Sequence, residues 1–181
     1  GIPVAVWDTC RALSHTLVAA MRAAGRSISF DPNLRPSLWP DQNSMVREIN
    51  ALAVKADWVL PGLEEGRLLT GRHTTADITA FYLDRGVELV VIKLGDAGAY
   101  LRSANGEGQV AAVPVSRVVD TVGAGDAFAV GVLSALLEGR AVAEAVARGN
   151  WCGSRAVQSR GDMEGLPLRH ELEAFDLRRS A

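Results

Sequence analysis

Cysteine is scarce in this chain: there are two, Cys10 and Cys152, among 181 residues. They form no metal-type or redox spacing, which excludes a disulfide framework and points to buried thiols in a reducing, cytoplasmic setting. Histidine is almost as rare, and His15, His73 and His170 are too scattered for a metal-ligand pattern. No apolar run approaches the roughly 20 residues of a membrane span, so no membrane partner is expected. No long Lys/Arg run appears and the formal net charge is −2, so the chain lacks the electrostatic footprint of a nucleic-acid binder. Four tryptophans, Trp7, Trp39, Trp58 and Trp151, have no repeat spacing and read as core residues rather than a stacking platform. The opening "GIPVAVWDTC" has neither a basic signal-type region nor an initiator Met; the expectation is a piece of something longer.

What remains is an ordinary globular composition, 48% hydrophobic and 22% charged, long enough for one domain with a sizeable core. Helical and strand patterns alternate. Residues 9–24 place Leu13, Leu17, Ala20, Met21 and Ala24 at helical spacing, and Gly25 stops the run. Strands are expected over 27–31, 57–61 and 88–94, and helices over 43–56, 63–71 and 75–86. The run "ELVVIKL" is the most apolar strand, as a central parallel strand covered on both faces would be. "GAYLRS" and "GQVAAVPV" flank the turn "SANGEG" as a hairpin or meander, and two helices follow Asp126 and Arg140. Strands separated by helices imply a parallel α/β sheet, whose ligands sit beyond the carboxyl ends of the strands.

The stretch "DTVGAGDAFAVGVLSALLEG", residues 120–139, carries the sharpest chemical signal. Gly123 and Gly125 allow close backbone approach, and a helix start adds the equivalent of roughly half a positive charge. Converging N–H groups there suit phosphoryl oxygens. Asp126 admits two readings: a helix cap, and a base that accepts the proton of an alcohol attacking phosphorus. Phe128, Val132, Leu133, Leu136 and Leu137 anchor the helix as core.

"DTVGAGDAF" resembles the C-terminal signature of the ribokinase-like (PfkB) carbohydrate kinases. "FDPNLRPSLW", "LPGLEEGRLLTG" and "VVIKLGDAGAY" occur in that family's order, and the first two look most like 2-keto-3-deoxygluconate kinases, with fructokinases next. The resemblance implies a ribokinase-like, three-layer Rossmann-type α/β sheet with flanking helices. The family's N-terminal strands and β lid have no counterpart in the sequence, so residues 1–181 correspond to the C-terminal, nucleotide-binding part of such a kinase domain.

By position, Asp126 matches the general base, and Gly123, Ala124, Gly125 and Asp126 the main-chain anion hole. Arg35 matches an arginine contacting a sugar acid, where a planar guanidinium suits a carboxylate; a surface salt bridge is the competing reading. Asn33 is a further substrate candidate, or a partner of the Asp31 turn. Lys93, Gly95, Gly98 and Asn150 match positions lining the nucleotide. Glu65 matches the acid that organises magnesium through water, although Gly62 replaces the usual Asn of that motif. Asp120 and the carbonyl of Val122 match a monovalent-cation (K+) site, which the loop 156–165 could complete.

The implied activity is ATP- and Mg2+-dependent phosphoryl transfer to a sugar or sugar acid, in a cytoplasmic enzyme that is a homo-oligomer at full length. Fructokinase is the nearest alternative, and a nucleotide-binding fragment without turnover is the alternative of another class. An oxidoreductase is disfavoured because no GxGxxG follows a first strand.

Overall fold

The computed structural model describes residues 2–180. Helices α1 (Ile2–Val6) and α2 (Asp8–Ala23) precede strand β1 (Ser29–Phe30). A 3-10 turn at Pro36–Leu38 leads into α3 (Gln42–Ala53), then β2 (Trp58–Val59), α4 (Leu63–Thr70), α5 (Thr75–Leu83) and β3 (Leu89–Lys93). A second 3-10 turn, Gly95–Ala97, precedes the hairpin strands β4 (Ala99–Ser103) and β5 (Gly106–Val110). Helices α6 (Ala124–Leu137), α7 (Val142–Ala156) and α8 (Arg169–Ser180) follow. The strands order β1-β2-β3-β4-β5 in one sheet. The chain divides into two compact units, one of Gly1–Lys93 with Tyr100–Glu107, the other of Leu94–Ala99 with Gly108–Ala181.

In the first unit β1, β2 and β3 run parallel, with Phe30 opposite Val59 and Val59 opposite Val90. The first four residues of β3 are buried, as the apolar run 88–94 predicts, and Lys93 emerges at its carboxyl end. Helix α3 starts where the Asp41 side chain accepts from the Ser44 N–H at 2.8 Å, and it buries Met45, Ile49 and Leu52 beside Trp39 and Leu69. Helix α2 forms where its periodicity places it, but none of its residues is buried; Leu13, Leu17 and Met21 are exposed. Trp7, expected in the core, is 60% exposed just ahead of that helix.

In the second unit α6 and α7 meet through glycines. A Cβ on Gly131 would lie 2.8 Å from the Gly149 Cα, and one on Gly149 would lie 2.6 Å from Val132 Cγ2. The helices therefore approach closer than any side chain would permit. The buried face of α6 is Ala127, Phe128, Gly131, Val132 and Ala135. Leu137, expected to anchor this helix, is 76% exposed, because it falls at the last turn, off the face that meets α7. Burial pushes the Cys152 thiol up to about 11, as fits an inert packed cysteine. Among the described residues, no helix is long and apolar enough to cross a membrane.

Candidate active site

The loop entering α6 is built from main chain. Gly123 is the N-cap, with φ 75°, in the left-handed region that glycine enters without penalty. It has a second reason to lack a side chain, since a Cβ there would lie 2.6 Å from the Asp162 backbone. Asp126 is therefore not the cap but the third residue of the helix, in its first turn. Gly125 is helical, so what it contributes is a small surface rather than an unusual dihedral. The Ala127 N–H closes the first helical bond to the Gly123 carbonyl at 2.8 Å, and the Ala124 N–H turns back to Thr121 at 3.3 Å. Among the described residues, no acceptor takes the N–H groups of Gly123, Gly125 and Asp126. Three donors without partners at the positive end of a 14-residue helix have the chemistry that suits an anion.

The Asp126 carboxylate is exposed, and among the described residues no donor or cation engages it. Asp120 stands at the other side of the turn. Its Oδ1 accepts from the Val122 N–H at 3.0 Å, and that bond, with further backbone N–H groups of Gly161 and Thr121, holds its carboxyl below the usual range. It thus remains ionised beside the Val122 turn and the 161–165 loop. Val119 donates to the Val157 carbonyl at 2.7 Å, which ties the approach to the site to the end of α7.

Asn150 lies buried on α7, where its amide donates to the Val110 and Ala111 carbonyls, both at 3.0 Å. The amide NH2 therefore braces the chain leaving β5. Gly95 and Gly98 flank the 3-10 turn with φ of 63° and 92°, and Gly98 abuts the Val110–Ala112 backbone.

The first unit carries a polar cluster at the carboxyl ends of its parallel strands. Asp31 follows β1, and its Oδ2 accepts from Lys93 Nζ at 2.5 Å. Its Oδ1 is buried and, among the described residues, meets no hydrogen-bond partner. Burial raises the Asp31 carboxyl above its usual range, against the charge and hydrogen bond of Lys93 that pull it down. The nearby Glu65 charge adds to the rise, and the Asn33 N–H exerts a weak opposing pull. Asn33 itself has φ 42°, the left-handed region that Asn tolerates better than most residues.

Glu65 is the third residue of α4, and it is not an exposed helix-start acid. Its Oε2 accepts from the Gly62 N–H at 2.8 Å and its Oε1 from the Leu34 N–H at 2.7 Å. The carboxylate ties the loop after β1 to the loop after β2. Arg35 is exposed and donates to the Leu34 carbonyl at 2.8 Å; among the described residues no carboxylate pairs with it, so the salt-bridge reading finds no partner.

Among the described residues, no three His, Cys, Asp or Glu side chains converge as a metal cage. Magnesium does not require one, because it keeps most of its waters. Carboxylate oxygens with acceptor capacity left, Asp31 Oδ1 above all, fit such an outer-sphere role. The sequence pattern names Glu65 and Lys93 as candidates, and Asp31 only as a turn beside Asn33. The charged residue directly after β1 was the available signal.

Comparison with known proteins decides the family. The model of the pfkB family carbohydrate kinases matches residues 5–169. The chain belongs to that family. It is 51% identical over 175 residues to the 2-dehydro-3-deoxygluconokinase of Bacillus subtilis (strain 168), covering 97% of this chain and 54% of that protein. A PfkB protein from Polaromonas sp. JS666 superposes with a TM-score of 0.85 at 51% identity, covering 96% of this chain and 55% of the other. The fructokinase of Vibrio cholerae O395, in its fructose-, ADP- and calcium-bound form, gives a TM-score of 0.88 at 32% identity, covering 96% and 58%. The fold is thus ribokinase-like, and this pfkB chain spans about half the length of the relatives it matches.

Proposed function

We propose that the protein carrying this chain is an ATP-dependent sugar kinase that phosphorylates a hydroxyl of a sugar acid, 2-keto-3-deoxygluconate. The observation that carries the reading is the pairing, at the start of α6, of three open N–H donors with an unengaged carboxylate at Asp126. Phosphoryl transfer asks for little else from a protein: charge on the moving group must be held, and the attacking alcohol must lose its proton. The N–H groups of Gly123, Gly125 and Asp126 hold the phosphoryl oxygens. The Asp126 carboxylate, which repels phosphate, faces the alcohol and accepts its proton as the bond to phosphorus forms. Asp31 and Glu65 would hold the waters of a magnesium ion, which would offset the charge of the nucleotide. In the first unit Lys93 is the nucleotide contact; in the second, Gly95 and Gly98 serve the nucleotide, beside Val110 and Ala111 that Asn150 braces. Potassium would sit at Asp120 and the Val122 carbonyl.

For the substrate, two facts favour the acid: the name of the Bacillus subtilis relative, and an exposed Arg35 whose guanidinium meets no carboxylate among the described residues. A second reading, fructose, rests on the ligand of the Vibrio cholerae structure. Charge-assisted pairing with a substrate carboxylate contributes roughly 1.5–3 kcal/mol, about 10- to 150-fold in affinity. The test is a coupled ADP-release assay on wild type and Arg35→Ala, with the acid and with fructose, in a protein of the relatives' full length. The expected outcome is a wild type that prefers the acid and a variant whose KM rises about tenfold or more for it alone. A wild type that prefers fructose, or equal losses for both sugars, replaces this reading with the fructokinase one.

A further inference from the structure

The pair formed by Asp31 and Lys93 is built unlike a structural ion pair. Lys93 ends β3 and Asp31 follows β1, with β2 between them. Strands in a sheet lie about 4.8 Å apart, so the lysine stem must reach across the carboxyl end of β2. The backbone fixes where that reach begins, because the Lys93 N–H donates to the Pro61 carbonyl at 2.9 Å and Lys93 bridges Gly62. Glu65 fixes the other side by holding the Leu34 and Gly62 N–H groups. Both side chains are largely covered, 19% exposed for Lys93 and 20% for Asp31.

A pair made for stability would have its remaining lone pairs and protons satisfied, since each unmet buried group is costly. Here neither partner is saturated. The ammonium makes one hydrogen bond among the described residues, leaving two donors, and Asp31 Oδ1 makes none with them. The open capacity lies at the carboxyl edge of a parallel sheet, where ligands of such folds bind.

We propose that Asp31 is a positioning residue, which pins the Lys93 ammonium in place so that its two remaining donors meet a nucleotide phosphate. This rests on the reading of Lys93 as a nucleotide contact. A free lysine loses about 2 kcal/mol of rotamer entropy when it is immobilised. Asp31 moves that loss from the binding step to folding, and binding gains accordingly. The arrangement has a cost, because a carboxylate beside the ammonium cancels charge that would otherwise attract phosphate. The two effects of Asp31 on an anionic ligand are therefore opposite in sign, and experiment can separate them.

The probe is ADP in EDTA, titrated by calorimetry into the wild type, Asp31→Asn, Asp31→Ala, Lys93→Ala and the Asp31→Asn/Lys93→Ala double variant. Thermal melts identify which variants are folded, and either Asp31 variant serves. Positioning predicts that loss of Asp31 weakens ADP by about 10-fold, the scale of one charge-assisted hydrogen bond. It also predicts that Asp31→Asn costs nothing further once Lys93 is already Ala. Unchanged or tighter ADP binding in a folded Asp31 variant overturns the proposal, as does a full additional loss in the Lys93→Ala background. If Lys93→Ala itself leaves ADP affinity unchanged, the assignment of Lys93 to the nucleotide falls, and the proposal with it. A loss in Lys93→Ala without one at Asp31 removes the proposal alone.

Discussion

The two ends of α6 are built on opposite plans. At its start, the N–H groups of Gly123, Gly125 and Asp126 and the Asp126 carboxylate meet no partner among the described residues. At its end, the charged side chains Glu138, Arg140, Arg148 and Asp176 engage one another. Arg148, 2% exposed on α7, donates to Glu138 at 2.6 Å, to Ser134 at 3.1 Å and to Asp176 of α8 at 2.5 Å. Arg140 adds a contact to Asp176 at 3.1 Å, and Trp151 stacks on Phe175 with ring centroids 4.7 Å apart. One end holds three helices together through paired charges; the other keeps donors and a carboxylate that meet no partner among the described residues. Acidic residues alone do not mark a site: Asp176 and Asp126 differ in what surrounds them.

The largest effect should come from breaking the saturated end. Arg148→Ala removes the buried guanidinium that Glu138 and Asp176 share, while Arg140 stays on Asp176, so the loss should lie near the lower end, about 3 kcal/mol, of what breaking a buried pair costs. Urea unfolding should show that loss, together with release of the Trp151–Phe175 stack seen by fluorescence. An apolar pair in its place, Arg148→Met with Asp176→Leu, should recover much of it. A loss under about 1 kcal/mol for Arg148→Ala would mean that the network is no more than a surface pair.

The open end was far more legible in the sequence than the saturated one. A loop-to-helix anion site is local: "VGAGDAF" holds the glycine that must take positive φ, the helix start and the acid within a few residues. The alternation of helix and strand was legible for the same reason, although helix ends shifted and Gln42–Ala53 stops short of the expected 56. The ionic lock joins residues 28 apart, and its third helix, Arg169–Ser180, carries a pattern too polar to stand out by periodicity. The core expected from the sequence fails at Trp7 and Leu137, both exposed. Asp31 escaped notice because its partner lies 62 positions away, on the far side of β2.

The next effect concerns the open end. Asp126→Asn keeps the shape of the first helical turn but cannot accept a proton. Turnover should fall roughly 100-fold or more, about 2.7 kcal/mol of transition-state stabilisation, with ADP affinity and unfolding midpoint close to wild type. This is the mirror image of Arg148→Ala, where stability falls first. Turnover within a few-fold of wild type would return Asp126 to the role of a first-turn acid favoured by the helix dipole.

The smallest effect sharpens the contrast within the lock itself. Glu138 is 46% exposed at its side chain, unlike Asp176 at 8%, yet it shares the same guanidinium. Its hydrogen bond from Arg148 holds its carboxyl below the ordinary value of 4.5, against the opposing effect of burial. A carboxyl with a lowered folded pKa binds its proton more readily in the unfolded chain. Its contribution is therefore complete above pH 4.5 and lost as pH falls through the folded value. Because solvent screens the group, the contribution should be small, about 0.5 kcal/mol. Glu138→Gln should lower stability by about that much at pH 7 and flatten the acid limb of the stability curve slightly. In an Arg148→Ala background the same substitution should have no effect on either, because the hydrogen bond that depresses Glu138 is already gone. An undiminished Glu138→Gln effect in that background would show that Arg140, not Arg148, is what Glu138 serves, and would shrink the lock to Arg148 and Asp176.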